Sequence, residues 1–281
     1  MRASTVFGLV CVVLAVNTVV GGADEKEKDD DLRARRFAIM QKRVASATIQ
    51  SESAGFPEQF STKPIFKYSD PARGYVAAAV WKLGDKGRPK ALIAVELDRT
   101  TYQKPCIGYE LSSLTATPFS MKLDDVRWSP RETLYEFKSI PDAAAPEKTP
   151  TLRLIQMRKL AERFASREVD RSRKYELRLL SQPVDRYVPS NTEGADGAIF
   201  FFVFGTNPEV VLLIESDGKS WTYAAGRMTG AEEVVLTFDE TTVWQGPPLK
   251  DGPTSPFIGS IAPIDIPGIA ADGSEIKEDG K

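Results

Sequence analysis

Residues 198–215 read AIFFFVFGTNPEVVLLIE. Two apolar runs flank a four-residue turn, and neither run alternates. A strand with one wet face alternates apolar with polar side chains; a continuous apolar run needs cover on both faces. GTNP supplies the turn chemistry of a hairpin. Each aromatic ring left in water would forfeit several kcal/mol, taking roughly 25 cal/mol per Å² over about 150–250 Å². Wet Phe200, Phe202 and Phe204 would also make the hairpin prone to aggregate. The chain must therefore place one layer on each side of this hairpin. A helix is one candidate layer. The other is a second sheet, from the same chain or from a homodimer partner.

The rest of the sequence offers both. From Leu32 a helix is predicted, with Phe37, Met40 and Val44 on one stripe. Residues 50–63 read as loop. YVAAAVWKL and KALIAVEL, joined by GDKGRP, predict a hairpin. Ala77, Ala78 and Ala79 are small for a strand and leave room for a helix to approach or for a ligand. CIGYELSSL, PFSMKLDDVRW and LYEFKSI read as further strands, and PDAAAPEKTP at 141–150 as a linker. A second helix starts with Thr149 as cap and Pro150 at its first position, carrying Met157, Leu160 and Phe164 as its stripe. YELRLL, WTYAAGRM, EEVVLTF and TTVW add strands. From Gly246 to the end, six prolines and six glycines fall in 36 residues, which predicts an extended or disordered tail, with IAPIDI as its one candidate docking segment.

Short patterns recur in order. PIFKY at 64–68 matches PVDRY at 183–187. Pro64/Pro183, Tyr68/Tyr187, Pro89/Pro208 and Glu96/Glu215 are each 119 residues apart. Trp128 and Trp244 are 116 apart, and the two helix stripes 120. These offsets predict an α+β chain of two similar units, residues 32–140 and 151–245. Each unit is one helix packed on a four- to five-stranded antiparallel meander sheet, a cystatin-like or helix-grip architecture. Residues 246–281 form the tail.

The N-terminus reads as an export signal. Arg2 precedes an apolar run from Val6 to Val20, short of the ~20 residues of a membrane span. Gly21, Gly22 and Ala23 suit a cleavage site after Ala23. The signal is then 1–23 and a charged lead 24–31 follows. The formal net charge is −2, and losing Arg2 makes it one unit more negative, so no basic excess draws nucleic acid. No membrane contact is expected after cleavage. Of the two cysteines only Cys106 remains, which excludes an internal disulfide and predicts a buried thiol.

There is no histidine. Histidine-based triads, histidine general bases and histidine-ligated zinc are excluded, and one cysteine cannot hold a cluster. Chemistry must run on carboxylates, Lys, Tyr, Ser or Thr. No phosphate loop, dinucleotide fingerprint or calcium loop is present. No cofactor, metal site or catalytic set is expected. Glu96 and Glu215 read as surface residues at strand ends rather than as a catalytic pair. The binding candidates are Tyr68, Arg73 in the turn-like DPARG, Trp81, Arg88 in GRP, Tyr187, Trp221 and Arg227. The aromatic members suit a sugar- or peptide-binding cleft; core packing and hairpin tips are the plainer uses of the same residues.

ELRLLSQPVDRY, DGAIFFFVFGTNPEVVLLIES and WTYAAGRM, with FKYSDPARG and VWKLGDKGRPKALIAVEL, resemble a family of uncharacterised exported proteins from planctomycete bacteria. The resemblance spans about residues 60–246. It implies export, to periplasm or exterior, and a bacterial source, and carries no activity, cofactor or site residue with it. The reading is a non-enzymatic exported binding or envelope-associated protein, its partner a small molecule, a glycan or an envelope protein. The alternatives are a carboxylate-based hydrolase acting on a glycan and a structural oligomeric subunit.

Overall fold

The computed structural model describes residues 21–99, 104–131, 135–246, 249 and 252–276, with side chains from Lys28 onward. Residues 1–20 of the expected signal lie outside these.

Helix α1 (Gly21–Ala45) opens the described chain. Its charged first half carries i,i+4 ion pairs, Asp29–Arg33 and Asp31–Arg35, which support an exposed helix. Its second half buries Met40 and Val44. Then follow β1 (Thr48–Gln50), β2 (Phe66–Asp70), a 3-10 turn over Pro71–Arg73, β3 (Tyr75–Lys82), β4 (Ala91–Asp98) and β5 (Cys106–Ser113). The hairpin β6 (Ser120–Leu123) and β7 (Val126–Trp128) and the short β8 (Lys138–Ser139) close the first half.

Helix α2 (Pro150–Ala161) starts as its sequence requires. The Thr149 hydroxyl accepts the Leu152 amide at 3.3 Å, and Pro150 occupies a position whose N–H has no helical partner. The second half continues with β9 (Phe164–Asp170), β10 (Arg173–Leu179), β11 (Asp185–Tyr187), β12 (Ala195–Phe204) and β13 (Asn207–Asp217). It ends in β14 (Trp221–Arg227), β15 (Glu233–Phe238), β16 (Thr241–Gln245) and β17 (Phe257–Pro263).

Three antiparallel sheets form. Five strands run in the order β17-β5-β4-β3-β2, nine in the order β16-β15-β9-β10-β12-β13-β14-β8 with β11 beside β12, and three in the order β1-β6-β7. The nine-stranded sheet curls into a half-barrel. Its bend lies in β10, which pairs with β9 over Arg173–Leu177 and with β12 only at Arg178 and Leu179. The two ends of the curl approach each other, and Lys138 Nζ in β8 donates to the Val243 carbonyl in β16 at 3.3 Å.

The five- and nine-stranded sheets pack face to face. Val80, Leu92 and Ala94 of the first meet Ile199, Phe201, Val211 and Leu213 of the second in one apolar cluster. The far face of the first sheet packs Trp81 and Ile93 under α1 and the three-stranded sheet. On the far face of the second, Phe200, Phe202 and Leu212 pack with Met157 of α2. The AIFFFVF run is therefore covered on both sides. Cys106 is buried, and burial pushes its thiol up to about 11.

The expected α+β tandem, two units of one helix on a four- to five-stranded meander, does not form. Strand accounts for 45% and helix for 14%, with only two helices among the described residues, so the protein is mostly β. The sheets are also unequal and interlocked. β8, from the first half, pairs with β14 of the second, and β17 pairs with β5 of the first. Phe164 belongs to β9 rather than to the α2 stripe. The region expected as an extended tail supplies β17 and two core residues, Ile266 and Ile269. Among the described residues no helix is long and apolar enough to cross a membrane.

Candidate functional site

Strand register builds the polar centres of the sheet interface. Tyr68 on β2 stands opposite Ala78 on β3, which stands opposite Glu96 on β4. Ala78 is small enough for the phenol to reach across it, and Tyr68 donates to Glu96 Oε1 at 2.7 Å. Tyr187, Gly197 and Glu215 repeat this ladder on β11, β12 and β13, with Tyr187 donating to Glu215 Oε1 at 2.8 Å. Here the middle residue has to be glycine, because a Cβ on Gly197 would stand 2.7 Å from the Tyr187 ring. Both glutamates, expected at the surface, are buried. A tyrosine two strands away satisfies one oxygen of each.

The two ladders differ in charge. Glu215 receives a two-pronged ion pair from Arg88, Nε at 2.7 Å and Nη2 at 2.5 Å. The Arg88 guanidinium lies 4.2 Å above the centre of the Phe137 ring. Buried charge is matched there by charge.

Glu96 has no such partner. The cation whose field reaches it is Arg73, presented by the turn after β2. Its Nε pairs with Asp70 at 3.0 Å, its Nη2 donates to the Phe204 carbonyl at 2.6 Å, and its Nη1 lies 3.6 Å from Glu209. Arg73 thus ties the first sheet to the β12–β13 hairpin. Burial pushes the Glu96 carboxyl up to about 7, against the pull of the Tyr68 hydroxyl and Arg73. Glu209 goes up to about 8, by burial first and Glu168 second, with Thr229 and Arg73 pulling down. Glu110 lies well above the usual carboxylate range through desolvation, Glu96 and Glu209. Burial raises Glu168 too, while its bond from the Thr229 hydroxyl lowers it. One end of the interface therefore carries a two-pronged ion pair, while at the other burial pushes four carboxyls up with one arginine among them.

The acid-rich end opens to solvent through a cavity of about 260 Å³. Tyr75 and Asp98 sit at its wall with Glu96 and Glu110, and Gly259 to Ile261 of β17 complete it. Among the described residues no lysine or arginine lines it. Glu110 Oε2 is buried there without a hydrogen-bond partner. Among the described residues no group of three histidine, cysteine, aspartate or glutamate side chains is placed to hold a metal ion.

The seven binding candidates do not share one site. Tyr68 and Arg73 stand at the acid-rich end, and Tyr187 and Arg88 at the ion-paired one. Trp81 is buried in the core under α1. Trp221 is buried on the far face of the second sheet, donating to the Ala144 carbonyl at 3.0 Å. Arg227 lies buried inside the half-barrel. Sequence reasoning missed Glu110, Glu168 and Glu209. Their signal was present: Glu209 shares strand parity with Val211 and Leu213, an inward face where a carboxylate needs a reason. Comparison with family models, with curated proteins and with solved structures returns no match.

Proposed function

We propose that the chain is a non-catalytic exported binding protein that takes a small organic cation in the cavity at Glu96. The observation that carries this reading is the lining: Glu96, Asp98 and Glu110 with Tyr75, and no basic side chain among the described residues of the wall. A quaternary or primary ammonium group fits such a lining because carboxylates offset its charge and aromatic faces accept it. Binding a cation would also draw the proton from Glu96.

The test is calorimetric titration of the purified chain with choline and with putrescine near pH 8. Saturable binding is expected, weakening as pH falls through about 7 and lost in a folded Glu96→Gln variant. Absence of binding by both amines to the folded wild-type chain would overturn the reading.

A second reading has one observation in its favour. Glu96, raised to about 7, shares its cavity with Asp98 two residues along β4. Cα atoms two residues apart on a strand are about 7 Å apart, a spacing on the scale of paired glycosidase carboxyls. Hydrolysis of an aryl glycoside that disappears in Glu96→Gln would favour this reading over binding alone.

A further inference from the structure

Strand β17 is an edge of the five-stranded sheet and one wall of the acid-rich cavity. Ser113 N–H donates to the Pro256 carbonyl at 2.8 Å, and Ile264 N–H to the Pro105 carbonyl at 3.1 Å. These two bonds fix the parity of the strand. Its even-numbered residues turn their backbone toward β5, and Phe257, Gly259 and Ile261 turn theirs to the outer side. Among the described residues no strand pairs with that side. Sheets guard such an edge with charge, an interior proline, a bulge or brevity. The edges β2 and β16 each carry a register shift, and β8 has two residues. Strand β17 pairs with β5 over Phe257–Pro263 without a shift, and its segment FIGSIA bears no charge.

The register gives this edge a chemical preference. Gly259 stands opposite Glu110, as Ala78 stands opposite Glu96 and Gly197 opposite Glu215. In those two ladders a tyrosine on the next strand reaches over the small residue to the glutamate. Beyond Gly259 there is no next strand. Glu110 Oε2 is buried without a hydrogen-bond partner, and a Cβ on Gly259 would meet nothing within 4 Å. The third ladder therefore has its acceptor and its small middle residue but no donor. Glu96 lies beside Glu110 in the cavity, and no lysine or arginine among the described residues lines it, so a cationic donor complements the site better than a phenol. Ile261, on the same face and 41% exposed, offers an apolar contact to a residue two places along. A second copy paired through its own β17 does not suit, since parity would set only Phe257, Gly259, Ile261 or Pro263 against Gly259, and none has a side-chain donor.

Resting on the cation reading of this cavity, we infer that β17 takes an extended segment of a partner protein as a sixth antiparallel strand, with a lysine opposite Gly259 whose ammonium donates to Glu110. Main-chain bonds to Phe257, Gly259 and Ile261 supply the affinity of such an added strand, and the lysine supplies its register. Cα atoms two strands apart are separated by about 10 Å, the step that the phenols of Tyr68 and Tyr187 already bridge.

The experiment is fluorescence anisotropy of the full chain with a fluorescein-labelled nonapeptide, TTVTKTVTT, near pH 8. Saturable binding is expected. Norleucine in place of the lysine should weaken it about tenfold or more, the scale of one charge-assisted bond. N-methylation of the two valines, whose amides face β17 in this register, should abolish binding, while N-methylation of the two threonines beside the lysine should spare it. Gly259→Val has room for its side chain and should fold with an unchanged unfolding curve, yet lose the preference for lysine over norleucine. Should that variant fail to fold, Glu110→Gln carries the same expectation. Failure of the parent peptide to bind while choline or putrescine binds would overturn the added strand and leave the cation reading standing; failure of peptide and amines alike would overturn both. Equal binding of the lysine and norleucine peptides, or of the two methylated ones, would also overturn the inference.

Discussion

Replacing Glu96 by glutamine should stabilise this protein, and only above acid pH. The carboxyl is buried and rises from 4.5 in the unfolded chain to about 7 in the fold. Below about pH 4.5 it is protonated in both states and contributes nothing to pH dependence. As pH climbs, the unfolded chain releases the proton while the fold retains it, so stability falls until about pH 7 and is level beyond. The full loss is about 3 kcal/mol. Glutamine has the same shape, cannot ionise, and keeps an oxygen for the Tyr68 hydroxyl, which sits 2.7 Å from the carboxylate. Glu110 and Glu209 are both pushed up by Glu96, so neutralising it relaxes them in the same direction. Wild type and Glu96→Gln should differ by less than about 1 kcal/mol near pH 5 and by about 3 kcal/mol near pH 9. For a chain of this size that is a gap of roughly 5–10 °C in melting temperature at the higher pH. Urea and thermal unfolding of both proteins at the two pH values is the assay. A gap of equal size at both, or larger in acid, refutes the account of a proton-loaded interface.

Three other perturbations follow from the same packing. Arg88→Ala strands Glu215, whose side chain is 5% exposed, and should cost about 2–4 kcal/mol near neutrality in urea unfolding; an unfolding curve within about 0.5 kcal/mol of wild type, the scale of an exposed pair, would contradict the buried pairing. Phe202→Asp places an unpaired charge where the ring is 1% exposed; loss of the cooperative melting transition is expected, and a wild-type melting temperature would contradict the two-sided cover of β12. Cys106 should ignore a thiol reagent near pH 8 in the native protein and react fully in urea, because it is buried and its thiol is raised to about 11.

Much of the local structure was legible in the residues. Uninterrupted apolar runs marked β12 and β13, and Thr149 with Pro150 marked the start of α2. The spacing of Tyr68, Tyr187, Glu96 and Glu215 foreshadowed the two ladders, although not their burial. Other features were hidden for identifiable reasons. Phe164 lies four residues after Leu160, so the helical spacing runs on through the point where the chain turns into β9. β17 lies among prolines and glycines, and its pairing with β5 is a tertiary fact with no local cue. Sheet size was equally unreadable, since β8 and β17 join sheets built mainly from the other half of the chain. Lone glutamates in strands read as solvent-facing because the groups that accompany them come from distant segments: Tyr68 of β2 for Glu96, and Thr229 of the β14–β15 connection for Glu168.

The exchange of β8 and β17 has a kinetic consequence. On a growing chain β5 emerges long before β17, its partner along Cys106–Ser112. At synthesis rates of roughly 5–20 residues per second the wait is on the order of ten seconds. Throughout it the N-terminal sheet has an open edge at β5, so the ribosome cannot release a finished first half for the second to dock upon. Maturation should resemble the closing of a clasp, late and all at once, and a chaperone that masks the β5 edge would govern yield more than any change to the core.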